Sequence, residues 1–338
     1  MYRPSCVALA VLLAACAPPR PLPLIGSFDL VVAATTDIHG YARGWDYNTN
    51  REDTARGLSR VATIIDSLRK VSPSYPVLVD AGDAIQGNPL AYVGARVDTT
   101  MKHPVIAAMS VLEYDAAVIG SHEFDYGIAT LDRAVREAQF PFIAANLYTT
   151  AGAPRYRRWA VSTRRGVKIG IVGATTPGSM IWDRDNLAAA KLVIRDIVPD
   201  VRSAVREVRD AGAAVIIVVL HSGLNEPSSY DTTRVPSENV AARVAREVPG
   251  IDLIVYGHTH KEMADTMIGT TLLMQPKNWA SSVAVARLRM ERRDNRWTVV
   301  ARRGQLISAA NRKESPRVLA ATQQGHLLAT RYATQRPK

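Results

Sequence analysis

The sequence predicts an α/β fold, and three features carry that prediction. From residue 28 onward, short apolar runs alternate with amphipathic stretches at helical spacing. The apolar runs repeatedly end in polar loops, the pattern of buried strands whose carboxyl ends meet solvent. After about residue 260 the pattern changes to β-rich segments joined by turn residues, so antiparallel or mixed sheet belongs to the second half.

Each element follows from its own residues. "FDLVVAATTDIHG" reads as a buried strand ending in a polar loop. In "GLSRVATIIDSLRKV", Leu58, Val61, Ile64, Ile65 and Leu68 recur at helical spacing and predict an amphipathic helix. "YPVLVDAGD" is a second strand, and "HPVIAAMSVLEYD" a second helix started by Pro104. "AAVIGSHEFD" is a third strand running into a loop. There follow the strand "VKIGIVGATTPG", the helix "VPDVRSAVREVRDAG", the apolar strand "AAVIIVVLHSG", a helix around Val240 to Val248, and "IDLIVYGHTH". "TTLLMQP", "SSVAVARLRMERR" and "RWTVVARRG" supply the late β-rich part. From about Ser315 the chain reads as a helix or tail with few core-forming residues.

The 338 residues are 47% hydrophobic, enough for a well-cored globular protein. The net charge of +11 comes largely from scattered arginines without interleaved aromatics. That pattern speaks for a solvated basic surface and against a nucleic-acid binder. At the N-terminus, Arg3 and the apolar run Val7 to Ala15 read as an export signal, too short to span a bilayer. "LAAC" resembles a bacterial lipobox with Cys16 as the lipidated residue, and the proline-rich residues 16–26 would be a tether. The expected location is the bacterial cell envelope, as a periplasmic or cell-surface lipoprotein. Both cysteines, Cys6 and Cys16, lie in this segment, so metal chemistry in the rest of the chain must use His, Asp, Glu and Asn.

Five of the seven histidines fall at polar strand ends: His39, His122, His221, His258 and His260. Asp37, Asp83 and Glu123 sit with them, whereas His103 and His326 read as surface or packing residues. At the end of an extended segment, Asp37 and His39 would project to one side, and so would His258 and His260. This donor set without thiolates suits divalent ions of the Mn, Zn, Fe or Co type. Asp-x-His and His-x-His alone are weak signals, but the ordered set with Gly-Asp, Gly-x-His-Glu and a strand-end His is strong.

The segments "TTDIHGYARGWDYN", "GDAIQGNPLA", "EYDAAVIGSHEFDYG", "FPFIAANLY", "WDRDNL", "LHSGL" and "GHTHKEM" resemble, in order, the calcineurin-like metallophosphoesterases. More closely they are similar to the bacterial 5′-nucleotidase and 2′,3′-cyclic-nucleotide 2′-phosphodiesterase/3′-nucleotidase group. "GWDYN", "WDRDNL" and "SENVA" lean towards the cyclic-phosphodiesterase branch. The resemblance implies a four-layer α/β-β/α sandwich with two mixed sheets and a metal site at strand C-terminal ends. It implies a catalytic domain over residues 27–310, with residues 311–338 as a tail or the start of an interdomain helix. Relatives of this kind usually continue into a second domain that stacks on the nucleobase; whether this chain is a fragment or a single-domain enzyme with an open site, base specificity is expected to be poor.

At matching positions the resemblance implies Asp37, His39 and His260 for one ion and Asp83 as a bridge. His221, His258 and residue 121 would hold the other. Two such ions suit phosphate-ester hydrolysis, because they acidify water and neutralise phosphoryl charge. His122 would face the leaving oxygen and Glu123 would orient its imidazole. Asn146 is either a substrate contact or a turn residue closing a strand. From its own residues "QPKNWASS" is the best local candidate for a substrate loop, with Lys277 to meet a phosphate and Trp279 to stack on a base, although packing at the domain edge is the favoured reading of Trp279. The departure is Ser121, which stands where an asparagine ligand belongs. Serine is the shorter and weaker ligand, so a working site with a looser second ion is expected; a non-hydrolysing nucleotide-binding protein is the alternative. The expected substrate is a nucleotide ester, with 5′-nucleotidase/UDP-sugar hydrolase activity as the nearest rival.

Overall fold

A computed structural model describes residues 26–72 and 74–335. The expected signal segment, Cys16 and all of the tether except Gly26 lie outside the described residues. No helix among the described residues is long and apolar enough to cross a membrane.

Two six-stranded mixed sheets organise the chain. The first runs, in spatial order, Arg296–Ser308, Ser282–Arg293, Ser27–Thr35, Val77–Asp80, Ala116–Val118 and Phe142–Ile143. Ser27–Thr35 is its pivot, parallel to Val77–Asp80 and antiparallel to Ser282–Arg293. The second runs Met263–Ile268, Thr271–Gln275, Leu253–Tyr256, Val215–His221, Val167–Thr175 and Trp159–Arg164. Its four inner strands are parallel and both edges antiparallel.

Alternation along the strands creates the layers, because successive side chains point to opposite faces. Leu30, Val32 and Ala34 join Val77, Val79, Ile169, Ile171, Ile217 and Val219 in a core between the sheets. Val31 and Ala33 point the other way, into a core with Leu58, Val61, Ile65, Ile106 and Met109 from the helices. On the far side of the second sheet, Ile216, Val218 and Leu220 pack against Val201, Ala204, Val205 and Val208. The result is helix, sheet, sheet, helix. Strands buried on both faces explain why these runs read as nearly continuous hydrophobics.

The helices predicted from spacing form at Leu58–Val71, Pro104–Val111, Ile197–Asp210 and Ala241–Glu247. Ile197–Asp210 is capped by the Asp196 carboxylate, which accepts from the Val198 amide. A further helix, Ile128–Glu137, which the sequence reading did not pick out, carries Ile128, Leu131 and Val135 at helical spacing, with Leu131 and Ala134 fully buried. The last residues are more than a loose tail. Pro316–Ala321 and Gln323–Gln335 fold back on the first helical layer, burying Val318, Gly325 and Ala329. Small residues carry that contact: Gly325 sits against Pro104 and Leu90, where a Cβ would collide.

Candidate metal centre

The parallel strands of both sheets deliver their carboxyl ends to one edge of the sandwich, and the polar loops converge there. Asp37 and His39 follow Ser27–Thr35, Asp83 follows Val77–Asp80, and Ser121, His122 and Glu123 follow Ala116–Val118. His221 ends Val215–His221, and His258 and His260 follow Leu253–Tyr256. The two x-spaced pairs are not presented by extended backbone, as the spacing argument supposed. Asp37, His39, His258 and His260 all have left-handed φ, at 48°, 46°, 76° and 55°, and Asp83 joins them at 60°. Such conformations are sparsely populated and collect at functional sites. Gly82 and Gly120 lie back to back, and a Cβ on Gly120 would strike the Asp83 carboxylate. Glycine at both lets the second and third loops touch.

Two sets of donors result: Asp37, His39 and His260, and Asp83, His221 and His258, each with its donor atoms within 4.8 Å of one another. Hydrogen bonds at the far ring nitrogens fix the tautomers. His39 Nδ1 lies 3.2 Å from the Gln86 carbonyl and His221 Nδ1 2.8 Å from that of Ala81. A carbonyl only accepts, so each Nδ1 donates, and in the neutral imidazole that a metal requires each Nε2 has the free lone pair. His258 Nε2 donates to Glu238 at 2.7 Å, leaving its Nδ1 bare. The bare nitrogens then face each other: His221 Nε2 and His258 Nδ1 at 3.2 Å, with Asp83 Oδ2 at 3.1 Å from His221 Nε2. In the first set His39 Nε2 and His260 Nε2 approach to 3.2 Å. Asp37 Oδ1, buried and without a hydrogen bond, lies 3.4 Å from His260 Nε2. Lone pairs gathered this closely repel unless a cation or proton lies between them. Asp83 Oδ2 is also 3.7 Å from His39 Nε2, which sets it between the two groups. The residues therefore fit two divalent ions bound by nitrogen and oxygen. Ser121 is only 3% exposed, and its Oγ lies 3.2 Å from His221 Nε2.

Other expected roles change. His122 Nδ1 bonds Asp125 Oδ2 at 2.9 Å, and this bond holds the imidazole up at about 9. Asp125, not Glu123, is its orienting partner. Glu123 is fully buried and accepts the backbone amides of Asp83, Ala84, Ile85 and Gly120. Its carboxylate points away from the imidazole of its neighbour because these amides enclose it. Asn146 is no substrate contact: buried, it donates to the Thr175 and Arg195 carbonyls and accepts from the Thr175 amide. It joins the ends of the two sheets. Lys277 Nζ donates to the His260 carbonyl at 2.9 Å, so its ammonium supports a loop instead of standing ready for a phosphate. Trp279 lines a cavity beside His260, with ring centres 6.3 Å apart. His103 is completely buried, and His326 packs on Trp45 and Tyr47, so both are packing residues.

Four residues escaped the sequence reading. Asp125 follows His122 by three residues, a spacing that a tight loop closes, and that was the available signal. Glu238 lies twenty residues before His258 in a loop, and its only local signal is the segment "SENVA" that contains it. Trp182, 45% exposed, stacks on His258 with ring centres 5.6 Å apart. Asp183 is pushed up to about 7, by burial first and then by Asp125. Trp182 and Asp183 line a cavity of about 280 Å³ with Ser121, His122, Asp125 and His258.

Comparison with known proteins is consistent with this geometry. Residues 30–262 match the family model described as calcineurin-like phosphoesterase. The trifunctional nucleotide phosphoesterase protein YfkN of Bacillus subtilis is 33% identical over 310 residues, covering 83% of this chain and 21% of that protein. The 2′,3′-cyclic-nucleotide 2′-phosphodiesterase/3′-nucleotidase of Haemophilus influenzae is 30% identical over 91% of this chain and 50% of its own length. The chain thus spans half or less of these curated relatives. A crystal structure of calcineurin-like phosphoesterase YfkN from Bacillus subtilis superposes with a TM-score of 0.84 at 30% identity, covering 92% of this chain and all of that one. On the family match, these relatives and the shared two-sheet architecture, the chain belongs to the calcineurin-like phosphoesterases.

Proposed function

We propose that the chain is a two-metal hydrolase of nucleotide phosphoesters, directed to 2′,3′-cyclic nucleotides and 3′-nucleotides. The observation that carries this reading is the pair of donor groups on either side of Asp83 Oδ2, with His122, bonded to Asp125, beside them. The names of the relatives support the substrate class. Asp37, His39 and His260 would hold one ion; His221, His258 and the Ser121 hydroxyl would hold the other, and Asp83 would touch both. The bound pair supplies charge neutralisation for a phosphoryl group and acidifies water.

The chain's own residues do the rest. Glu238 and the Gln86 and Ala81 carbonyls keep the donor nitrogens bare. Glu123 holds the Asp83 loop against the Gly120 loop. Asp125 keeps a proton on His122, whose ring centre is 5.2 Å from that of His39. His122 delivers that proton to, or holds charge on, the leaving oxygen. We read residues 27–310 as the catalytic domain and Cys16 as a lipid anchor in the cell envelope; Cys16→Ser would then release the protein from the membrane fraction.

An activity panel tests the main reading: 2′,3′-cyclic AMP, 3′-AMP, 5′-AMP and UDP-glucose, each with Mn²⁺, Zn²⁺ or Co²⁺. Preference for the first two is expected. Preference for 5′-AMP and UDP-glucose moves the chain to the 5′-nucleotidase class, and binding without phosphate release under all three metals ends the hydrolase reading.

A further inference from the structure

A second cavity, of about 430 Å³, opens directly beside His39 and His260. Aromatic rings form two of its walls. Tyr41 and Trp279 make one, with ring centres 5.2 Å apart. Tyr92 and Tyr332 make the other, stacked at 5.0 Å and 26°. All four are half-buried, so ring surface remains open to the cavity. Asn48 and Asn88 add amides to its lining. Asn88 Oδ1 is spent capping the helix Pro89–Tyr92, while its buried Nδ2 has no hydrogen-bond partner among the described residues.

The Tyr41–Trp279 wall is tied to the donor loops. Tyr41 is two residues beyond His39, and the Trp279 amide donates to the Asp37 carbonyl at 2.7 Å. Trp279 and Ala280 are consecutive left-handed residues, at φ 62° and 52°. A bulky ring held at positive φ is a costly arrangement for mere packing. The Arg56 guanidinium sits over both rings, 5.2 and 4.7 Å from their centres, and lines the neighbouring cavity instead of this one. It braces the wall from behind. Tyr332 comes from the last helix, so the segment read as a tail or the start of an interdomain helix also lines the cavity.

We infer that this cavity is a nucleobase subsite: the aromatic base of the substrate lies between the Tyr41–Trp279 and Tyr92–Tyr332 walls while its phosphoester reaches the metal centre. The inference rests on the nucleotide-phosphoester reading for the identity of the ligand. It gives the base an aromatic platform on this chain's own residues and keeps the expectation of poor base selection. Stacking on such rings tolerates any base, so purines and pyrimidines would both be held.

The full chain is assayed with 2′,3′-cyclic AMP and with methyl riboside 2,3-cyclic phosphate, which lacks the base. Trp279→Ala and Tyr332→Ala are each expected to lower the ratio of the two kcat/KM values by roughly 10-fold or more. A ratio that holds in both variants, or that falls with Trp182→Ala in their place, overturns the assignment. Calorimetric titration with adenosine gives a readout independent of turnover: the native chain is expected to bind it and Trp279→Ala to lose that binding. A native chain that does not bind adenosine overturns the subsite. If neither ester is hydrolysed, the hydrolase reading falls and the adenosine titration alone decides the cavity.

Discussion

Replacing Ser121 with asparagine should tighten the second metal position. The Ser121 hydroxyl already faces the bare Nε2 of His221 at 3.2 Å, so the loop aims this side chain into the donor group. Asparagine extends the reach by one bond and offers an amide oxygen, a better neutral ligand than a hydroxyl. Room exists on the Ser121 side, where the 280 Å³ cavity reaches His258. Loss of a single outer-shell contact already changes metal affinity by roughly 10–100-fold. A direct ligand should gain at least that, or about 1.4–2.8 kcal/mol. Chelator competition with Zn²⁺ or Mn²⁺, with bound metal counted per chain, measures it on native and Ser121→Asn proteins. Phosphate release at limiting metal should rise in parallel. If the native chain holds both ions with equal affinity and asparagine brings no gain, the hydroxyl is not a weak link and the reasoning fails.

Removing the Asp125 partner with Asp125→Asn should let the His122 pKa fall from about 9 towards its ordinary value of about 6.5. The alkaline limb of the kcat–pH profile should move down with it, and an unmoved limb would show that His122 does not set that limb. Glu238→Ala strips the partner from His258 Nε2 and should cost roughly 10–100-fold in second-ion affinity, with Glu238→Gln recovering part of it; equal losses in both variants would refute an orienting role. His103 is buried and held neutral, its pKa lowered by burial to about 3. The unfolded state, with a pKa of about 6.5, binds that proton first. Stability from this group is therefore present above about 6.5 and lost as pH falls towards 3, by up to about 1.4 kcal/mol per pH unit. Denaturant titrations of native and His103→Leu proteins across that range should show a flatter acid slope in the variant.

The donor residues were legible because their signal is positional: each histidine or aspartate terminates an apolar run, and apolar runs are easy to see. The α/β class was legible from the same runs, whereas the four layers were implied only by the family resemblance. Partner choice was not. Glu123 adjoins His122 in sequence, but adjacent residues at a turn need not face each other, and four backbone amides claim its carboxylate. Glu238 and His258 meet only because two loops after different strands of one sheet fold over the same edge. Asn146 resembled a site residue because it ends a strand at the site's own edge; its amide is consumed in joining the sheets. The last helix was underestimated because its buried residues, Gly325 and Ala329, are small and carry little hydrophobic signal.

These differences share a cause. Five donor residues sit in left-handed backbone, each with a conformational cost that the donor set itself cannot offset while its lone pairs repel. Something outside the donor set must hold the loops. Glu123 does much of it, gathering amides from the loops that carry Asp83 and Ser121. The Asp37–Trp279 backbone bond does so for the first loop, and the Lys277–His260 contact for the last. Residues that looked like substrate contacts in the sequence are thus partly structural supports, and the reverse holds for the C-terminal helix. Burial further separates the roles. Burial raises Glu123 to about 7, but four backbone amides enclose its carboxylate, and that enclosure keeps it from exchanging protons with a substrate. His122 is nearly half exposed and keeps its proton through Asp125, which suits contact with a leaving group. In the proposed reading the motif "GSHEFDYG" divides by function: glycine for loop contact, serine for the second ion, histidine with Asp125 for the leaving group, and Glu123 inward to hold the rest.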